Sequence, residues 1–144
     1  PGDAPAAVAA AEEAVFSGAA SWIWYPEDKT TAERWFRRSF VLEAAPEKAR
    51  LRITCDNGYA LSVNGAVVGS GGAWDRVQEY DVTRRLRAGT NEIVVRARNE
   101  GDSAGLIAEL TAGPFRLGTD ASWRSSKTEK GGTAAAEVIS PFAR

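Results

Sequence analysis

The most regular stretch of the chain runs from Arg50 to Asn99, where apolar and polar residues alternate with period two. Over residues 50–56, Leu51, Ile53 and Cys55 share one parity and Arg50, Arg52 and Thr54 the other. That alternation predicts an antiparallel strand with one core face and one wet face. Asp56, Asn57 and Gly58 read as a tight turn, after which Tyr59, Leu61 and Val63 carry the core parity along the next strand. Asn64 followed by Gly65 between alternating runs is the strongest short hairpin signal, because both central residues of a type I′ turn need positive φ. Residues 66–68 then open a strand antiparallel to the preceding one.

The remaining elements follow the same period. Residues 69–75 (GSGGAWD) read as a permissive loop with Trp74 at its far end. Residues 78–83 give a strand with Tyr80 and Val82 inward. A polar turn anchored by Leu86 leads to a strand with Ile93, Val95 and Ala97 inward, and residues 105–110 repeat the pattern with Leu106, Ala108 and Leu110.

Upstream, Trp22 and Trp24 fall on one face of a first strand, with Ile23 and Tyr25 on the other, so both of its faces meet apolar groups. Phe36, Phe40 and Leu42 mark the inward face of a second strand. Arg38 shares their parity, so its head must reach water or a carboxylate, since a buried unpaired charge is prohibitively costly. Trp123 is expected to plug an edge, and Val138, Ile139 and Phe142 to form a final docked segment. Residues 1–18 are Ala-rich and read as a linker or short helix, with residues 19–144 as one domain. Eight or so short strands without crossover helices predict an all-β antiparallel β-sandwich (jelly roll).

Composition narrows the function more than the fold. Apolar content of 44% and charged content of 26% are those of a soluble globular domain. Lys and Arg (18) nearly balance Asp and Glu (19), which removes the basic footprint that nucleic acid or an anionic membrane requires. No apolar run approaches the ~20 residues of a membrane span. The chain opens at Pro1 with neither an initiator Met nor a basic and apolar leader, and is expected to be a trimmed or mature piece. Cys55 stands alone, so it forms no internal disulfide, and its parity makes it a small buried hydrophobe.

The absence of His rules out Ser-His and Cys-His dyads and His-ligated metals. Paired carboxylates would serve a glycosidase. Yet no Asp or Glu falls on a core-facing strand position, and the loop carboxylates read as solvated.

At this point the residues carry a resemblance. WFRRSFVL, then LRITCDNGYALSVNGAVVG, the loop with Trp74, YDVTRRLRAGTNEIVVRARN and TDASWR follow in the order seen in galactose-binding-domain-like jelly rolls, over about residues 20–124. Such modules accompany the catalytic domains of rhamnosidases and galactosidase-type glycoside hydrolases. The resemblance implies a non-catalytic carbohydrate-binding accessory module of a larger, secreted or periplasmic protein. A scaffold domain of such a protein, without a ligand of its own, is the alternative. The expected partners are a poly- or oligosaccharide and neighbouring domains, with no cofactor. A structural Ca²⁺ is compatible with the fold, but no Asp-rich ligand spacing supports one.

Up-and-down parity sends the connections to two ends of the sandwich. One collects residues 26–33, 56–58, 69–76 and 99–104, the other residues 43–48, 64–65 and 84–90. The first is richer in Trp, Asp, Asn and Gly, which suits a sugar: an aromatic face stacks on pyranose C–H groups while carboxylates and amides take hydroxyls. The candidate site is therefore Trp74 as platform with Asp75, Arg76, Asp56, Asn57 and Asn99 as polar partners, although Asp56 and Asn57 also suit a plain turn.

Overall fold

In a computed structural model, the structure describes residues 8–9, 16, 19–26, 32–72, 75–101 and 104–140. Among them, thirteen strands form two antiparallel sheets. The seven-stranded sheet has the order β1 (Val8–Ala9), β7 (Gln78–Asp81), β4 (Ala49–Asp56), β9 (Gly105–Ala112), β2 (Trp22–Trp24) and β13 (Glu137–Ser140), with β10 (Phe115–Gly118) paired to β9. The six-stranded sheet runs β12 (Ala134–Ala135), β11 (Arg124–Ser126), β3 (Ala32–Leu42), β8 (Gly89–Asn99), β5 (Gly58–Val63) and β6 (Ala66–Gly71). Five strands beyond those read from the sequence, β1 and β10–β13, are two to four residues long and lie against other strands. Val8–Ala9, within the stretch expected to be a linker or short helix, is extended and pairs with Glu79 and Gln78.

The predicted inward parities meet between the sheets. Leu51, Ile53 and Cys55 face Phe36, Leu61, Ile93 and Val95 in one buried cluster, to which Trp24 and Trp123 also belong. Each fully buried Leu, Ile or Phe contributes about 1.5–3 kcal/mol of transfer free energy, so this layer holds the fold together. Trp123 is the expected plug: it is buried, and its Nε1 donates to the Gly118 carbonyl at 3.0 Å. Val138 and Ile139 lie on β13, which docks on β2, while Phe142 lies outside the described residues.

Three expectations are corrected by packing. Trp22 and Trp24 do not share a face: Trp24 packs on Phe36 (centroids 5.4 Å) in the main core, and Trp22 joins a second cluster with Phe16, Ala20, Val77 and Ile107. A three-residue strand beside a bulge between Val138 and Ser140 does not hold strict alternation. Secondly, the outer face of the seven-stranded sheet is not simply wet. Thr54 is buried, Ile107 is covered by the second cluster, and Glu79 lies between Arg50 (3.1 Å) and Arg52 (3.2 Å). Thirdly, Glu109 is a strand carboxylate with 2% exposure, approached by Arg116 at 3.8 Å. Parity toward the core underestimates its burial because that outer face is itself covered.

Arg38 resolves its conflict at the edge, donating from Nε to Ser122 Oγ at 2.9 Å. Arg34, on the same parity, is buried with its guanidinium 5.1 Å from the Tyr25 ring centre and donates to the Glu33 carbonyl at 2.7 Å.

The first three residues of the predicted Gly-rich loop, 69–71, are strand. Gly69 and Gly71 lie on β6, where a β-carbon would stand 2.5 Å from the Tyr80 ring and 2.7 Å from the Tyr59 ring respectively. The two rings pack against these glycines and their hydroxyls bond at 2.9 Å. These glycines make room for aromatic rings, a reason that composition alone does not disclose.

Candidate functional site

The loop end is built around a one-residue crossing. β4 ends at Asp56 in one sheet and β5 begins at Gly58 in the other, so Asn57 alone carries the chain between them. The Asp56–Asn57 peptide bond is cis. Asn57 N donates to the Arg98 carbonyl at 2.6 Å, and Glu100 N donates to Asn57 Oδ1 at 2.5 Å. The crossing is thereby fixed to the segment leaving β8. Asn99, fully buried, closes that segment by donating from Nδ2 to the Gly101 carbonyl at 2.9 Å and accepting from Gly101 N at 3.2 Å.

Asp56, Asn57 and Asn99 are thus gathered at one end of the sandwich, beside Gly72, where a β-carbon would stand 3.7 Å from the Asn57 carbonyl. Asp56 is not the solvated loop carboxylate expected from the sequence; it is 6% exposed, because it is the last residue of a central strand. Asn57 is half-buried, and among the described residues its Nδ2 makes no hydrogen bond. Asp75 and Arg76 are exposed in the turn before β7, and no hydrogen bond among the described residues joins them to Asp56, Asn57 or Asn99. Trp74, the proposed platform, lies outside the described residues.

Sequence reasoning did not single out Arg96, Arg98 and Glu33. They line a hollow of about 430 Å³ together with Tyr59, Ser70 and Gly72, at the corner where the outer face of the six-stranded sheet meets the loop end. The available signal was the Arg-Ala-Arg run of β8, whose two arginines take the outward parity while Ala97 faces the core. Arg98 Nε bonds Glu100 Oε2 at 2.5 Å, and Arg96 Nε approaches Glu33 Oε2 at 3.6 Å. At the opposite end of the sandwich lies a larger hollow of about 990 Å³, mostly apolar, lined among others by Val41, Pro46, Pro114 and Phe115. Phe115 stacks on Phe40 with centroids 5.5 Å apart, and Val41 is 67% exposed.

Electrostatically, the core near the loop end resists ionisation. Burial, and then the neighbouring Asp56 charge, push the Cys55 thiol up to about 12. Burial and the hydrogen bond with Tyr80 raise the Tyr59 phenol above its ordinary range. Far from this end, Asp81 is held below the usual carboxylate range by hydrogen bonds from the Thr83 hydroxyl and then the Thr83 amide. Among the described residues there is no group of three or more Cys, Asp or Glu side chains that would hold a metal ion, and no helix is long and apolar enough to cross a membrane.

No family model matches the chain. An α-L-rhamnosidase of Streptomyces avermitilis is 36% identical over 125 residues, which is 76% of this chain and 12% of that protein. The crystal structure of the Streptomyces avermitilis α-L-rhamnosidase complexed with L-rhamnose is similar over 97% of this chain and 16% of that one, at 32% identity and a TM-score of 0.82. A lectin from Pleurotus ostreatus in complex with GalNAc is similar over 90% of this chain and 44% of the lectin, at 27% identity and a TM-score of 0.75. The chain is a galactose-binding-domain-like β-sandwich of the type found as an accessory module in rhamnosidases. It spans a small fraction of the length of the rhamnosidases it resembles.

Proposed function

We propose that the chain is a non-catalytic carbohydrate-binding accessory module of a larger, extracytoplasmic glycoside hydrolase, and that it recognises a glycan through the loop end. The observation that carries this reading is the half-buried Asn57 at the one-residue crossing, whose Nδ2 group is left over after the turn's own hydrogen bonds are made, while the buried Asp56 and Asn99 support it from beneath. Similarity to a lectin and to a rhamnosidase, each solved with a sugar, supports it. Trp74 supplies the stacking platform, and Asp75 and Arg76, which follow it in the same loop, are its exposed polar partners.

The test is calorimetric titration of the 144-residue chain with L-rhamnose and with N-acetylgalactosamine. One of the two should bind, and Asn57→Ala should weaken that binding about tenfold, the equivalent of 1.4 kcal/mol. Trp74→Ala should remove the quenching of tryptophan fluorescence that accompanies binding. If neither sugar binds, or if Asn57→Ala and Trp74→Ala both leave affinity unchanged, the loop-end reading fails.

A second reading, a scaffold domain without its own ligand, is favoured by one observation: the mostly apolar hollow and exposed Val41 at the opposite end, a surface suited to a neighbouring domain. It requires no sugar affinity at all, so the same titration separates the two.

A further inference from the structure

Arg96 and Arg98 sit two residues apart on β8, opposite Ala60 and Gly58 of β5. Their guanidinium groups each meet a carboxylate through Nε, Arg98 with Glu100 and Arg96 with Glu33. Held by that edge, each fork keeps its Nη groups: among the described residues none of them is hydrogen-bonded. The Arg98 guanidinium lies against the backbone at Gly58, where a β-carbon would stand 2.7 Å from Nη2. The floor between the two arginines and β6 is made of small groups, Ala60, Ser70, Gly71 and Gly72.

Two features of this hollow point to the same ligand. Its two arginines are each met by one carboxylate, Arg96 by Glu33 and Arg98 by Glu100, and both meet it through Nε, so what the hollow offers a ligand is the Nη edge of each guanidinium. Guanidinium Nη groups match a carboxylate in planar, charge-assisted geometry. Its volume of about 430 Å³ also falls in the range of small-molecule sites, and a floor of methyl, hydroxyl and backbone groups admits a flat polyhydroxylated ring.

We infer that this hollow is a second carbohydrate subsite that takes an acidic sugar, a hexuronate whose carboxylate is held by the Nη groups of Arg96 and Arg98 while its ring lies over Ala60, Ser70 and Gly72. The inference rests on the carbohydrate-binding reading and deepens it. Gly72 and Arg98 border both the hollow and the Asn57 crossing, so a neutral residue at the loop end and an acidic one in the hollow would be neighbours in one glycan.

The experiment titrates the whole chain with D-glucuronate and D-galacturonate, with neutral glucose and galactose, and with acetate as the bare carboxylate. A uronate should bind about tenfold more tightly than its neutral parent, and the preference should shrink several-fold as salt is raised from low ionic strength to about 0.15 M. The Arg96→Gln/Arg98→Gln double variant changes two half-exposed side chains, so it should fold and lose the preference while keeping any affinity for L-rhamnose or N-acetylgalactosamine. Equal binding of a uronate and its parent, or a preference that survives in the double variant, overturns the inference and leaves the loop-end reading standing. Acetate binding as tightly as a uronate overturns the sugar assignment of the hollow. Failure of every saccharide, neutral and acidic, overturns both.

Discussion

At the hairpin end of the sandwich Asn91 is fully buried, and both of its lone pairs and both of its N–H groups are engaged. Its Oδ1 accepts from Arg87 N (3.0 Å) and Asn64 Nδ2 (2.8 Å), and its Nδ2 donates to the carbonyls of Arg87 (2.9 Å) and Gly89 (3.2 Å). Asn64, at φ 51° in the type I′ turn with Gly65 at φ 83°, is engaged too: Glu92 N donates to its Oδ1, and its Nδ2 also reaches the Arg85 carbonyl. At the loop end, Asn57 occupies an equally tight connection but uses only its oxygen internally. The same residue type therefore does two jobs. Where all its hydrogen-bonding capacity closes on the backbone it specifies the fold, and where a donor is left over it remains available to a ligand.

That contrast is broken or sharpened most strongly by Asn91→Ala. Removing the amide strands the Arg87 amide and the Gly89 carbonyl and leaves Asn64 one partner short, so the chain should lose about 3 kcal/mol of unfolding free energy. Asn57→Ala removes one hydrogen bond at an exposed amide and should cost under about 1 kcal/mol. Urea unfolding of both variants checks this. Equal losses would mean that the two ends are not built differently.

Gly69→Ala follows in size. A methyl 2.5 Å from the Tyr80 ring must displace the Tyr59–Tyr80 pair, a strain of about 2 kcal/mol. Gly72→Ala is the matched control three residues along the same segment: its nearest neighbour is 3.7 Å away and it should be tolerated. An unfolding midpoint for Gly69→Ala that matches the Gly72→Ala value would remove the packing role assigned to β6.

Period-two alternation makes the core legible because parity fixes which side chains face the opposite sheet: Leu51, Ile53, Leu61, Val63, Val95 and Leu106 all take the predicted place. The hairpin is legible for a similar reason, since Asn64-Gly65 answers a backbone requirement and not a tertiary one. Parity does not say whether the other face is covered, so the burial of Thr54, Glu109 and Asp56 was not foreseen. Nor does a glycine declare its neighbour, which is why Gly69 and Gly71 read as loop while serving as strand packed on two tyrosines. At the candidate site, the meeting of residues 56–58 with 98–101 follows from up-and-down connectivity. Arg96 and Arg98 take the outward parity, which by itself marks no site, because a hollow depends on side chains from β3, β5, β6 and β8 at once.

A smaller loss than that of Asn91→Ala or Gly69→Ala tests the core on the loop-end side. Cys55 stands one residue before Asp56, and its thiol is raised from 9.0 to about 12, chiefly by burial. A group whose folded value lies above its unfolded one favours the folded state in its protonated form. That stability is complete below pH 9 and is lost as the pH rises toward 12, because the unfolded chain ionises first. At pH 10, one unit above the thiol's ordinary value, the loss from this group is about 1.4 kcal/mol. Tyr59, raised by burial and by the Tyr80 hydroxyl, adds a loss of the same sign above pH 10. Asp81, the perturbed carboxylate beyond the far end of β4, is lowered and so acts only in acid, losing its contribution as the pH falls below the usual carboxylate range. Urea unfolding at pH 7.5 and pH 10 should therefore show a larger drop in the natural chain than in Cys55→Ala, which lacks the titrating thiol. If both chains lose stability equally across that interval, the thiol is not sealed in the core, and the loop end is more open to solvent than the packing around Cys55 requires.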